Sequence, residues 1–106
     1  MNAQFPTKNW SAWLNLMPGS QPTFHVKGEV TCPTSGYTAR LASLTPQGIN
    51  PAIYLLELRV TPPAPSTPVL EVETDVPIYY QEVTDQRYTD VTILPENITF
   101  PVQIVS

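Results

Sequence analysis

The sequence predicts an all-β protein of about seven short strands. Apolar and polar residues alternate over several short stretches, turn-forming residues separate these stretches, and no long helical period lies between them. Alternation with a period of two is typical of strands that bury one face, and many short strands at even spacing are typical of sandwiches and barrels. We expect an antiparallel β-sandwich of the immunoglobulin-like kind, with a small β-barrel as the alternative.

The first stretch with a clear pattern is "NWSAWLNLMPG", residues 9–19. Four apolar residues recur there at the spacing of one helix face: Trp10, Trp13, Leu14 and Met17. Asn9 can cap such a helix and the following Pro18-Gly19 pair can end it, so we predict a short N-terminal helical turn. The alternative is a strand with one face made of Trp10, Ala12, Leu14 and Leu16. In either form residues 1–22 should pack on the sandwich, because so short a helix is marginal alone in water.

Three strand candidates follow, at 24–31, 37–44 and 52–61. Gly28 interrupts the apolar face of the first candidate, which indicates a bulge or the close approach of another backbone. The turn "CPTSG" and the loop "TPQGINP" separate the three. A helix competes at 52–61, but Pro51 before it and Pro62-Pro63 after it favour a strand.

Prolines also divide the second half of the chain. The segment "PPAPSTP", residues 62–68, is predicted to be a stiff arch. A strand over 69–76 should end or kink at Pro77, and residues 78–84 and 88–94 bracket the polar turn "DQR" as a hairpin. The last strand, 98–106, contains Pro101, which favours an edge position or a bulge. A second copy of the chain could pair with such an edge.

Composition indicates one domain, residues 1–106, because typical domains run to roughly 100–150 residues. Charged residues make up 13% of the chain and the net charge is −4. The basic residues are scattered along the sequence, so the footprint of a nucleic-acid-binding protein is missing. No apolar run has the length of a membrane helix, and the N-terminus does not resemble a signal peptide. The default expectation is a cytoplasmic protein without a membrane span.

The sequence offers little for catalysis or metal binding. The single histidine, His25, and the single cysteine, Cys32, fall on opposite faces of a regular strand, and together they cannot complete a zinc site. The four glycines are isolated, so no phosphate-binding or dinucleotide-binding motif is present. Glu71, Glu73 and Asp75 share one face of the strand predicted at 69–76, where a solvated face explains them better than a calcium site. We expect a protein that is not an enzyme and that binds no cofactor or metal.

Aromatic residues are the candidate binding residues: Trp10, Trp13, Tyr79, Tyr80 and Tyr88. The indoles either plug one end of the sandwich, or one stays exposed as a platform for a sugar or an anchor for a protein. Tyr79 and Tyr80 are adjacent and must face opposite sides of a strand. Tyr88 lies across the predicted hairpin, where it could pair with the exposed ring.

No motif in the chain identifies a known family. We therefore expect a non-catalytic binding module whose partner is an unidentified protein or small ligand. Two alternatives stay open: a protease inhibitor that inserts "PPAPSTP" or "TPQGINP" into a catalytic cleft, and a carbohydrate-binding module that uses an exposed tryptophan.

Overall fold

The computed structural model describes residues 5–44, 47 and 50–106. Within these ranges the chain forms seven strands and no helix, so no described segment is a helix that could cross a membrane. The strands are β1 (Thr7–Asn15), β2 (Thr23–Cys32), β3 (Thr38–Ser43), β4 (Ile53–Thr61), β5 (Thr74–Val83), β6 (Asp90–Leu94) and β7 (Ile98–Val105). The predicted all-β fold is confirmed.

All seven strands belong to one sheet, in the order β3-β4-β6-β7-β1-β2-β5. The sheet curls until its end strands, β3 and β5, lie beside each other, which nearly closes a barrel. β1 pairs with β7 and β4 pairs with β6 in parallel, whereas the other neighbours are antiparallel. The predicted antiparallel, immunoglobulin-like sandwich is therefore wrong. Alternation records which side chains are buried, but it does not record the partner or direction of a strand.

Alternate side chains of the strands fill the inside of the curled sheet. The fully buried residues with the largest side chains are Phe24, Leu14, Leu56, Ile78, Ile93, Val26, Val30, Val91 and Cys32. Burying one large apolar side chain contributes about 1.5–3 kcal/mol to the free energy of unfolding. This shared core holds the strands in register and fixes which side chains face outwards.

The predicted N-terminal helical turn is wrong, because most of its residues, 9–15, lie in β1. Ala12 and Leu14 are buried on the inside, as the strand alternative predicts. Trp10 also packs against the core, on the same side as Ala12 and Leu14. A bulge between Lys8 and Ser11 shifts the register with β2. β1 has hydrogen-bonded neighbours on both sides, β2 and β7, and this pairing supplies more backbone hydrogen bonds than an isolated two-turn helix could.

Two prolines lie inside strands. β5 begins at Thr74 and continues through Pro77 opposite Glu29, so the predicted break at Pro77 is wrong. β5 is an end strand of the sheet, and such a strand tolerates a residue without an N–H group. Pro101 lies where β7 leaves β6 and Val102 starts to pair with β1. Residues 98–101 pair with β6 and residues 102–105 pair with β1, so β7 lies between two strands in the sheet order and its predicted edge position is wrong.

The hairpin predicted from residues 78–84 and 88–94 does not form. β5 pairs with β2, whereas β6 pairs with β4 and β7. The connection between β5 and β6 therefore crosses from one half of the sheet to the other. A short polar turn between two alternating stretches predicts a hairpin only when the two strands have no better partners.

Candidate functional site

The outer face of β1, β2 and β5 carries a group of interacting aromatic and polar side chains that points away from the core. The strand register places Trp13 beside His25 and His25 beside Gln81, in one row across the three strands. Lys27 and Tyr79 lie opposite each other in the next row. We call these five residues the outer-face site.

The aromatic rings of the outer-face site are held by one another. The Trp13 and His25 rings stack with their centroids 4.9 Å apart and their planes 13° apart. Nδ1 of His25 is hydrogen-bonded to the Tyr79 hydroxyl, which donates to Oε1 of Gln81 at 3.2 Å. Tyr79 nevertheless remains 53% exposed. A ring that is fixed in orientation and open to solvent loses little entropy when it binds a partner.

The outer-face site has little net charge. Partial burial lowers the pKa of His25, so the imidazole is neutral at pH 7. The Lys27 ammonium lies 5.8 Å from the centroid of the Trp13 ring, within the range of a cation–π contact. Among the described residues no carboxylate forms an ion pair with Lys27. The site therefore offers aromatic surface, amides and one ammonium group.

A depression of about 440 Å³ adjoins the exposed ring of Tyr79. Its other side chains include Lys27, Glu29, Pro77 and Asn9, which come from the same three strands. Asn9 has a φ of 58° at the β1 bulge, and its Nδ2 donates to Oε1 of Glu29 at 2.7 Å. We call this feature the Tyr79 depression. The bulge thus brings a polar side chain of β1 to its edge.

Trp10 lies on the opposite side of the sheet from the outer-face site. Its ring stacks on Phe100 with a centroid distance of 5.6 Å, and its Nε1 donates to Oγ1 of Thr7 at 2.9 Å. The ring also covers Gly28, where an added Cβ would come within 2.7 Å of Cδ2 of Trp10. The interruption predicted at Gly28 is thus a close approach, but of the Trp10 side chain rather than of a backbone.

Tyr80 and Tyr88 belong to a cluster inside the sheet. The hydroxyls of Tyr54 and Tyr80 lie 2.9 Å apart, and both donate to Oε1 of Glu82 at 2.8 Å. Tyr88 stacks on Tyr54 with a centroid distance of 4.6 Å. Burial raises the pKa of all three phenols. Tyr79 and Tyr80 face opposite sides of β5, as predicted, and Tyr88 pairs with Tyr54 instead of Tyr79.

His25 and Cys32 lie on opposite faces of β2. The pairing of β2 with β5 continues without a register shift, so no bulge brings the imidazole and the thiol to one side. Cys32 is fully buried as a free thiol, and burial raises its pKa. A buried thiol with a raised pKa is inert as a nucleophile.

The three acidic residues predicted on one strand face are separated by the start of β5. Glu71 and Glu73 precede the strand, whereas Asp75 lies within it. Asp75 accepts hydrogen bonds from Lys8 at 2.7 Å and from Thr31 at 2.8 Å. The hydrogen bond from Lys8 is the main cause that lowers the pKa of Asp75. Asp75 is therefore part of a surface ion pair.

A larger groove of about 710 Å³ lies against the half of the sheet that contains β4. Leu58 and Leu94 contribute apolar surface to it, and its charged residues include Glu57 and Arg59. The Arg59 Nε donates to Oε1 of Glu57 at 2.7 Å, so these two charges satisfy each other. Glu96 also lines the groove, and its buried Oε1 has no hydrogen-bond partner among the described residues. We assign no ligand to the groove.

Of the two loops that could insert into a protease cleft, the structure describes "PPAPSTP" in full and "TPQGINP" in part. In "TPQGINP", residues 45, 46, 48 and 49 lie outside the described residues. Most of "PPAPSTP" is exposed, and the loop is anchored just beyond it. There the Leu70 N–H donates to Oγ of Ser35 at 2.8 Å, and the Ser35 N–H donates to the Leu70 carbonyl at 3.0 Å.

Sequence reasoning named Trp13 and Tyr79 but missed the three polar members of the outer-face site. The signal was present in the alternation of "FHVKGEVT", which places His25 and Lys27 on the polar face of their strand. Gln81 is two residues from Tyr79 and must share its face. What the pattern does not contain is the pairing of β5 with β2, which brings the two polar faces together.

Comparison with models of protein families, with curated protein sequences and with solved structures finds no match. The geometry of the chain itself is therefore the basis for any functional conclusion.

Proposed function

We propose that the protein is a non-catalytic binding module and that the outer-face site is its contact surface. The observation that carries this proposal is the fixed but exposed Tyr79 ring, held through His25 and Gln81 beside the indole of Trp13. Tyrosine and tryptophan are enriched in the centres of binding interfaces, and charged residues are depleted there.

The surroundings of the outer-face site support a role in recognition. Val83 on β5 and Val105 on the adjacent β7 are large apolar residues with 61% and 38% exposure. They lie in the next row of the same face, where Val83 is opposite Thr23 and Val105 is opposite Asn15. A contiguous surface of aromatic, aliphatic and amide groups is typical of interaction sites. The separation of His25 from Cys32 by the thickness of the sheet favours binding over nucleophilic catalysis.

A photo-crosslinking experiment tests the location of the contact surface. A benzophenone amino acid at Gln103, which neighbours Trp13 on β7, samples the outer-face site without altering its five residues. The matched control places it at Arg40, an exposed residue of β3. In an extract of the source organism we expect the protein labelled at position 103 to form covalent adducts with its partner. Excess unlabelled wild-type protein should abolish these adducts, because it competes for the same partner.

The competitor variant makes that experiment decisive. The Trp13→Ala/Tyr79→Ala double variant should fail to compete, because it lacks the ring surface that the partner contacts. Equal adducts from positions 103 and 40, or full competition by the double variant, would contradict the proposal.

A further inference from the structure

We propose that the Tyr79 depression binds the ring of an uncharged carbohydrate. This inference rests on the proposed function and names the class of ligand at that site. It also moves the sugar platform from the tryptophans, where the sequence suggested it, to Tyr79.

The shape and the aromatic wall of the depression suit a sugar ring. Its volume of about 440 Å³ falls within the range of small-ligand sites. The Tyr79 ring forms one wall, and the hydrogen bonds of its hydroxyl to His25 and Gln81 keep the ring in place. The C–H face of a pyranose is apolar and flat, so it can pack on an aromatic ring while its hydroxyls point to polar groups.

The polar groups of the depression suit hydroxyls better than ions. Lys27 and Glu29 project from the same face of β2, one ammonium beside one carboxylate. Their charges oppose each other, so an anion or a cation meets one favourable and one unfavourable neighbour. A hydroxyl can accept from an ammonium and donate to a carboxylate, and the amide of Asn9 can do both. Glu29 is oriented by its hydrogen bond from Asn9.

The tryptophans are less suited to this role than Tyr79. One face of Trp13 is already stacked on His25. Trp10 lies against Phe100 on the other side of the sheet. Tyr79 is therefore the ring that combines high exposure with adjacent polar side chains.

A glycan array that contains neutral, sialylated and sulfated oligosaccharides tests the inference, followed by isothermal titration with the best neutral ligand. The variants are Tyr79→Ala, which removes the ring, and Tyr79→Phe, which keeps it. The matched control is Val72→Ala, because Val72 is 54% exposed on the loop before β5 and outside the depression. We expect neutral glycans to bind the wild type and Val72→Ala equally. Loss of one stacking contact predicts about tenfold weaker binding for Tyr79→Ala and a much smaller change for Tyr79→Phe.

Each other outcome overturns the inference in a distinguishable way. Binding of sialylated or sulfated glycans alone would indicate an anion site at Lys27. Absence of glycan binding, together with protein adducts from position 103 that the double variant fails to compete, would overturn the carbohydrate class and leave the outer-face site as a protein-binding surface. Neutral glycan binding that Tyr79→Ala does not weaken would overturn both the inference and the proposed location.

Discussion

Trp10 and Trp13 are three residues apart in the same strand, so alternation places them on opposite sides of the sheet. Trp10 covers Gly28 and stacks on Phe100 on the inside. Trp13 stacks on His25 on the outer face. We interpret the first indole as part of the structure and the second as part of the binding surface.

The bulge near the start of β1 shapes the outer face rather than this difference, because regular alternation already places residues three positions apart on opposite faces. It lies between Lys8 and Ser11, where the register with β2 shifts. Beyond it the alternation is regular, so that Ala12 faces inwards and Trp13 outwards. The bulge also brings Asn9, with its φ of 58°, to the Tyr79 depression. This irregularity therefore contributes a side chain to the outer face, and bulges are common beside functional sites.

The largest expected effect is a difference in protein stability between variants that lack one indole or the other. Removing the ring of Trp10 leaves a cavity beside Gly28, so Trp10→Ala should lower the free energy of unfolding by about 3 kcal/mol. Trp13→Ala leaves the core intact and should lower it by about 1 kcal/mol. Urea unfolding of both variants measures the two values. Equal losses would mean that both indoles serve the core.

The second prediction concerns the contact between Gly28 and Trp10. A methyl group at Gly28 overlaps the indole, so Gly28→Ala should destabilise the protein by about 2 kcal/mol. In the Trp10→Ala background the same substitution should cost much less, because the space is empty. A double-mutant cycle from urea unfolding measures this coupling. Additive effects would contradict the packing of Trp10 over Gly28.

The third prediction concerns the hydrogen bond that holds the Trp10 ring. Its Nε1 donates to Oγ1 of Thr7 at 2.9 Å in a partly buried position. Thr7→Val keeps the shape and removes the acceptor, which should cost about 1 kcal/mol in unfolding free energy. Thr31→Val is a control on the neighbouring strand, because the hydroxyl of Thr31 bonds to exposed Asp75. A smaller loss for Thr7→Val than for the control would refute the assigned role.

The smallest expected effect is a pH dependence of the free energy of unfolding that comes from His25 on the outer face. Burial lowers the pKa of His25, so the unfolded chain takes up this proton first as pH falls through about 6.5, the usual pKa of histidine. The protein should therefore lose some stability as pH falls from 6.5 towards the lower pKa of the folded state. His25→Gln should not show this loss in urea unfolding between these limits. An unchanged pH dependence in His25→Gln would assign the loss to another group.

Alternation in the sequence predicted the all-β class and the opposite faces of Tyr79 and Tyr80, because these depend on neighbours along one strand. It did not predict the parallel pairing of β1 with β7, or the pairing of β5 with β2, because strand partners are chosen by the whole sheet. The helical turn failed for a related reason. The spacing of Trp10, Trp13 and Leu14 fits one face of a helix. Trp10, Ala12 and Leu14 equally fit one face of a strand, with Trp13 on the other face.

Iodide quenching of tryptophan fluorescence in the Trp10→Phe and Trp13→Phe variants tests the central comparison most directly. Each variant reports on the one indole that remains. We predict stronger quenching of Trp13, because it lies on the outer face and the nearby ammonium of Lys27 attracts iodide, and we expect Lys27→Gln to reduce that quenching. Equal shielding of both indoles, or stronger quenching of Trp10, would contradict the assignment of Trp13 to a binding surface.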